Sequence, residues 1–80
     1  MNLFSAFAKM TGRAINDKVT ERNTKKAKKT AYKNTGKKIK TATKQNKTIN
    51  GSATYKKELN KEMQTVNKKH QRREKFIDDL

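Results

Sequence analysis

The sequence predicts an all-α protein of two to three helices, in an open or oligomer-dependent arrangement and partly disordered in isolation. Three observations carry this reading. The 80 residues contain no proline and only three glycines, Gly12, Gly36 and Gly51, so little interrupts a helix. Apolar residues recur at three- and four-residue intervals in both terminal thirds, and no alternating strand pattern occurs. Leu, Ile, Val and Phe together number 12 of 80 against a net charge of +15. So few large apolar groups offset little ordering entropy, which points to order gained on a partner or in an oligomer.

The chain divides into three parts. Residues 1–24 form an amphipathic helix and a joint. On a helical wheel Leu3, Phe4, Phe7, Met10, Ala14 and Ile15 share one side, with Lys9 and Arg13 opposite. Asn2 or Ser5 suits the N-cap, and Gly12 weakens the helix by about 1 kcal/mol relative to alanine. Leu3, Phe4, Phe7, Met10 and Ile15 form a membrane or partner face. It has three uses: insertion into an anionic membrane surface, an organelle transit segment, or packing on the C-terminal helix or in a partner's groove.

Residues 25–51 form a lysine-rich conditional helix. Tyr32, Ile39, Ala42 and Ile49 keep a thin helical stripe. Like charges such as Lys25/Lys29, Lys29/Lys33 and Lys33/Lys37 repel at i,i+4. A phosphate backbone would remove that penalty, so this segment is expected loose when free and helical when neutralised. Asn50-Gly51-Ser52 is expected to break the chain, with Gly51 at a helix C′ position and Ser52 or Thr54 capping the next helix.

Residues 52–80 form a heptad-patterned helix. Leu59, Met63, Val66, His70, Arg73, Ile77 and Leu80 alternate by four and three, a coiled-coil seam interrupted at His70 and Arg73. Leu59, Met63, Val66, Ile77 and Leu80 are the expected oligomer seam, giving a homo-oligomer through this helix.

Charge is the main functional signal. Residues 25–57 hold twelve Lys and no acid, whereas the flanking segments nearly balance. Such a block is suited to a polyanion. Lys outnumbers Arg 18 to 4, and no Arg lies in the block. Lysine acts as a point charge on phosphate, while the arginine fork reads base edges, so binding is expected to be largely independent of sequence. Lys25, Lys26, Lys28, Lys29, Lys33, Lys37, Lys38, Lys40, Lys44 and Lys47 are the candidate nucleic-acid contacts, to DNA or RNA. Tyr32 and Tyr55, 23 residues apart, are expected to pack at helix contacts, with stacking on the bases of a single strand as the alternative.

Catalysis is not expected. Glu58 and Glu62 lie one turn apart, but acid/base work needs a desolvated cleft, and Lys57 and Lys61 lie nearby. No nucleophile motif or glycine-rich phosphate loop is present. His70 and Glu74 alone make no metal site, there is no cysteine, and no cofactor is implied. No apolar run reaches transmembrane length, and the start lacks the basic region of a secretory signal. The sequence therefore reads as a small basic non-enzymatic protein, intracellular, nucleoid-associated or inside a virion. Condensing, packaging, and mobile-element or virion accessory roles fit. The alternatives are a peripheral membrane protein on anionic lipid and a helical adaptor on an acidic protein surface.

Overall fold

In the computed structural model, which describes residues 3–80, the chain is a helical hairpin. Helix α1 spans Leu3–Lys44 and helix α2 spans Gly51–Asp78, with no strand among the described residues. The fold is all-α with two helices. Forty-two residues at 1.5 Å rise give about 63 Å, which accounts for overall dimensions of 65 × 15 × 13 Å. The two helices run antiparallel along most of this length. Ser5 meets Leu80, Asn16 meets His70 and Glu74, and Lys38 meets Glu58.

Helix α1 runs unbroken through residue 24, where composition changes from near-balanced to basic. Its threonines explain part of this tolerance. The hydroxyls of Thr24, Thr35, Thr41 and Thr43 each donate to the carbonyl four residues earlier. Satisfied within the helix, they do not draw the backbone into a turn. Of the expected N-caps, Asn2 lies outside the described residues, and the Ser5 hydroxyl instead donates to the Leu80 carbonyl at 3.0 Å.

The connection corrects the expected break. Gly51 is not a C′ residue; it is the first residue of α2, and no described glycine has positive φ. The left-handed residue is Asn46, at φ 56°. Asn46 N–H donates to the Thr43 carbonyl and Lys47 N–H to the Ala42 carbonyl, at 3.0 and 2.8 Å. This is the Schellman arrangement, with asparagine in the place glycine usually takes. Asn50, rather than Ser52 or Thr54, caps α2: its side chain accepts from the Ala53 N–H at 3.1 Å.

The buried apolar core of the described residues is small: Ala27, Ala31, Ala42, Val66 and Ile77. Polar groups fill the rest of the interface, with Asn16, Thr35 and Glu58 all buried. Small residues on α1 let the helices approach closely. At Gly12 an added Cβ would lie 3.1 Å from the Ile77 side chain.

Candidate nucleic-acid interface

The side of α1 that faces α2 is set by Asn16, Ala27, Ala31, Thr35 and Ala42, all buried. On a helical wheel the opposite side carries Lys26, Lys29, Lys33, Lys37, Lys40 and Lys44, every one exposed. Their intervals are 3, 4, 4, 3 and 4, so each stands about one turn above the last. The result is a straight ladder of six ammonium groups spaced about 5.4 Å apart, roughly 27 Å in all. No acidic residue lies between its ends.

The other four candidate lysines are placed differently. Lys38 turns toward α2, where its ammonium pairs with the Glu58 carboxylate. Lys25 lies 3.9 Å from Glu21 on the exposed surface, a pairing of little energetic weight. Lys28 is exposed but stands about 100° round the helix from Lys29, off the ladder, and Lys47 sits in the connection beyond Asn46. Glu58 was not singled out by sequence as a partner of the block. Its carboxylate is buried, with Lys61 at 3.8 Å as well as Lys38. The hydrogen bond from Lys38 holds Glu58 below its ordinary pKa, against the opposing effect of burial, with the charges of Lys38 and Lys61 adding to the shift. Pairing across the hairpin depends on interhelical register, which no local pattern encodes.

A groove of about 700 Å³ opens between the helices beside the connection. Tyr32, Gly36 and Ile39 line it from α1, and Tyr55, Lys56 and Leu59 from α2. The two tyrosines, 23 residues apart in sequence, therefore line one concavity.

The C-terminal seam faces α1 of the same chain. Val66 and Ile77 are buried there, Leu59 and Met63 half-buried, and Leu80 remains exposed. His70 and Arg73, the polar interruptions of the heptad pattern, meet polar groups on α1. Arg73 Nε donates to Asn16 Oδ1, Asn16 Nδ2 donates to Glu74 at 2.9 Å, and Thr20 Oγ1 lies 2.6 Å from His70 Nδ1. The hairpin also brings Asp17 beside His70 and Glu74, with one ligand atom of each within 4.8 Å of the others. The His70 and Glu74 side chains in this group are engaged in the hydrogen bonds just described, so the cluster acts as part of the polar seam.

At the open end Arg13 pairs with Asp78 at 2.9 Å, and that hydrogen bond raises the Arg13 pKa further. Asp78, near the end of α2, thus meets the first segment of the chain. The N-terminal apolar stripe does not pack on α2. Ser5, Gly12 and Asn16 face α2 instead, and Leu3, Phe4, Phe7, Met10 and Ile15 are 58–85% exposed. Packing of this stripe on the C-terminal helix is therefore corrected: hydrogen-bonding residues occupy that side.

No helix among the described residues is long and apolar enough to cross a membrane. Comparison of the chain with protein-family models, curated proteins and solved structures gives no match.

Proposed function

We propose that this protein is a small non-enzymatic nucleic-acid-binding protein whose α1 lysine ladder lies along the phosphate backbone, largely independently of base sequence. The single observation behind this reading is the outward row of six lysines. A duplex carries one charge per about 1.7 Å, so some 16 phosphates fall within the length of the row. Point charges repeated once per turn suit backbone contact and carry little base information. Condensing, packaging and accessory roles are all compatible with such contact.

Titration of duplex and single-stranded probes over a range of salt concentrations tests the proposal. Six phosphate contacts predict a log–log salt slope near −5 on duplex, with about 10³-fold loss of affinity between 50 and 200 mM salt. Replacing Lys26, Lys29, Lys33, Lys37, Lys40 and Lys44 by Gln should remove most of the slope. Unchanged affinity and slope in that variant would overturn the proposal.

One observation favours a second reading. The exposed apolar stripe and the lysine ladder both lie on the side of α1 turned away from α2. Phenylalanines inserted among acyl chains, with lysines over anionic headgroups, would place α1 flat on a membrane. Under this reading Phe4→Ser with Phe7→Ser abolishes binding to phosphatidylserine vesicles, whereas nucleic-acid affinity stays unchanged under the first. The adaptor reading needs the heptad face as its docking element, and that face is turned toward α1.

A further inference from the structure

The groove beside the connection has three properties in combination. Its walls are largely apolar, and they include both tyrosines of the chain. No acidic residue lines it, and Lys56 does. It opens within the segment that carries twelve lysines and no acid. Gly36 keeps one wall open, since a Cβ added there would have no neighbour within 4 Å.

We propose that this groove receives unstacked nucleobases, so that the preferred ligand is single-stranded nucleic acid. The proposal rests on the reading of the lysine ladder as a phosphate contact and names the form of nucleic acid it takes. The chemistry comes from the wall. A base is a flat, weakly polar π-system that stacks on tyrosine whatever its identity, while its own phosphates require cations nearby. Tyr32 is exposed and Tyr55 half-buried, so each offers a ring to a base entering from solvent. A base held in a duplex must first leave its stack and its pair, whereas a single strand presents its bases freely. Phosphate contact on the ladder and base contact in the groove are therefore compatible in a single strand.

The test compares three probes with the full-length chain: an oligothymidylate of about 16 nucleotides, an abasic oligonucleotide of the same length, and a duplex. The first two carry the same phosphates and differ only in bases. The chain has no tryptophan and both its tyrosines line the groove, so intrinsic tyrosine emission reports occupancy directly. Oligothymidylate should bind roughly tenfold or more tightly than the abasic probe and quench the emission. Gly36→Leu fills the groove from a site with open space around it, and Tyr32→Ala removes one exposed ring. Both should lower oligothymidylate affinity toward the abasic value and leave abasic affinity and its salt slope unchanged.

Equal affinity for the base-containing and abasic probes, with unquenched tyrosine, would overturn the groove proposal while salt-dependent binding left the ladder reading standing. Duplex binding as tight as oligothymidylate would also overturn it. Emission that changes with protein concentration and not with oligonucleotide would overturn it as well, assigning the groove to a second copy of the chain. Salt-insensitive or absent binding of every probe would overturn both readings.

Discussion

Glu58 shows how one side chain couples the lysine block to the stability of the hairpin. It is a buried carboxylate on α2 facing Lys38 on α1, and the Lys38 contact holds its pKa below the ordinary value. The folded state therefore binds fewer protons than the unfolded state as pH falls through the carboxylate range. The stabilisation is complete above the unfolded pKa and is lost as pH approaches the lowered, folded value. Urea midpoints followed by circular dichroism should fall between about pH 6 and about pH 3, and fall less in Glu58→Gln. Equal falls in the two proteins would show that Glu58 does not carry the effect. Neither this pairing nor the Asn16 network was legible in the sequence. The heptad pattern marks His70 and Arg73 as interruptions, but their hydrogen-bonding partners lie 50 or more residues away.

Within the helices, the two interior glycines have opposite surroundings and so opposite expected responses. Gly36 has open space around its missing Cβ, and glycine costs a helix about 1 kcal/mol relative to alanine. Gly36→Ala should raise unfolding stability by about that amount. At Gly12 an added Cβ would lie 3.1 Å from the Ile77 side chain, so Gly12→Ala must displace a buried side chain and should gain nothing or lose stability. Thermal unfolding of the two variants side by side checks this. The helical class and the inward face of α2 were legible, because proline is absent and large side chains keep a heptad spacing. The orientation of α1 was not. Its apolar stripe suggested a buried side, yet Ser5, Gly12 and Asn16 face α2 because their small size and hydrogen-bonding groups fit Leu80, Ile77 and Glu74. The end of α1 was misplaced for a related reason. Asn46 adopts the left-handed conformation expected of a glycine, and the nearby Gly51 is the more obvious sequence signal.

Over the whole molecule, charge is sorted along the rod. Residues 25–65, which form the half near the connection, contain thirteen Lys against Glu58 and Glu62, leaving +11 of the total +15. The half containing the termini is close to balance by comparison. Location should therefore matter more than total charge. Lys29, Lys33 and Lys37 changed to Gln, and Lys68, Lys69 and Lys75 changed to Gln, each remove three charges. The first set should make the salt slope of duplex binding shallower by nearly 3, and the second should leave it almost unchanged. Equal changes would mean that the protein acts as a diffuse cation. The basic block was plain in the sequence, but its conversion into a straight row was not. That row needs α1 to continue through Gly36 as one unbroken helix, and it leaves Lys38 aside, drawn to Glu58 on the other helix.

The contact between Ser5 and Leu80 brings the first and last turns together at one end of the rod. A short peptide could join these ends, and new ends could be cut between Gln45 and Asn50. The same hairpin would then carry its free ends at the cationic tip. Attachments made beside Ser5 or Leu80 sit roughly a rod's length from that tip, so a fluorophore or surface tether placed there leaves the charged end exposed.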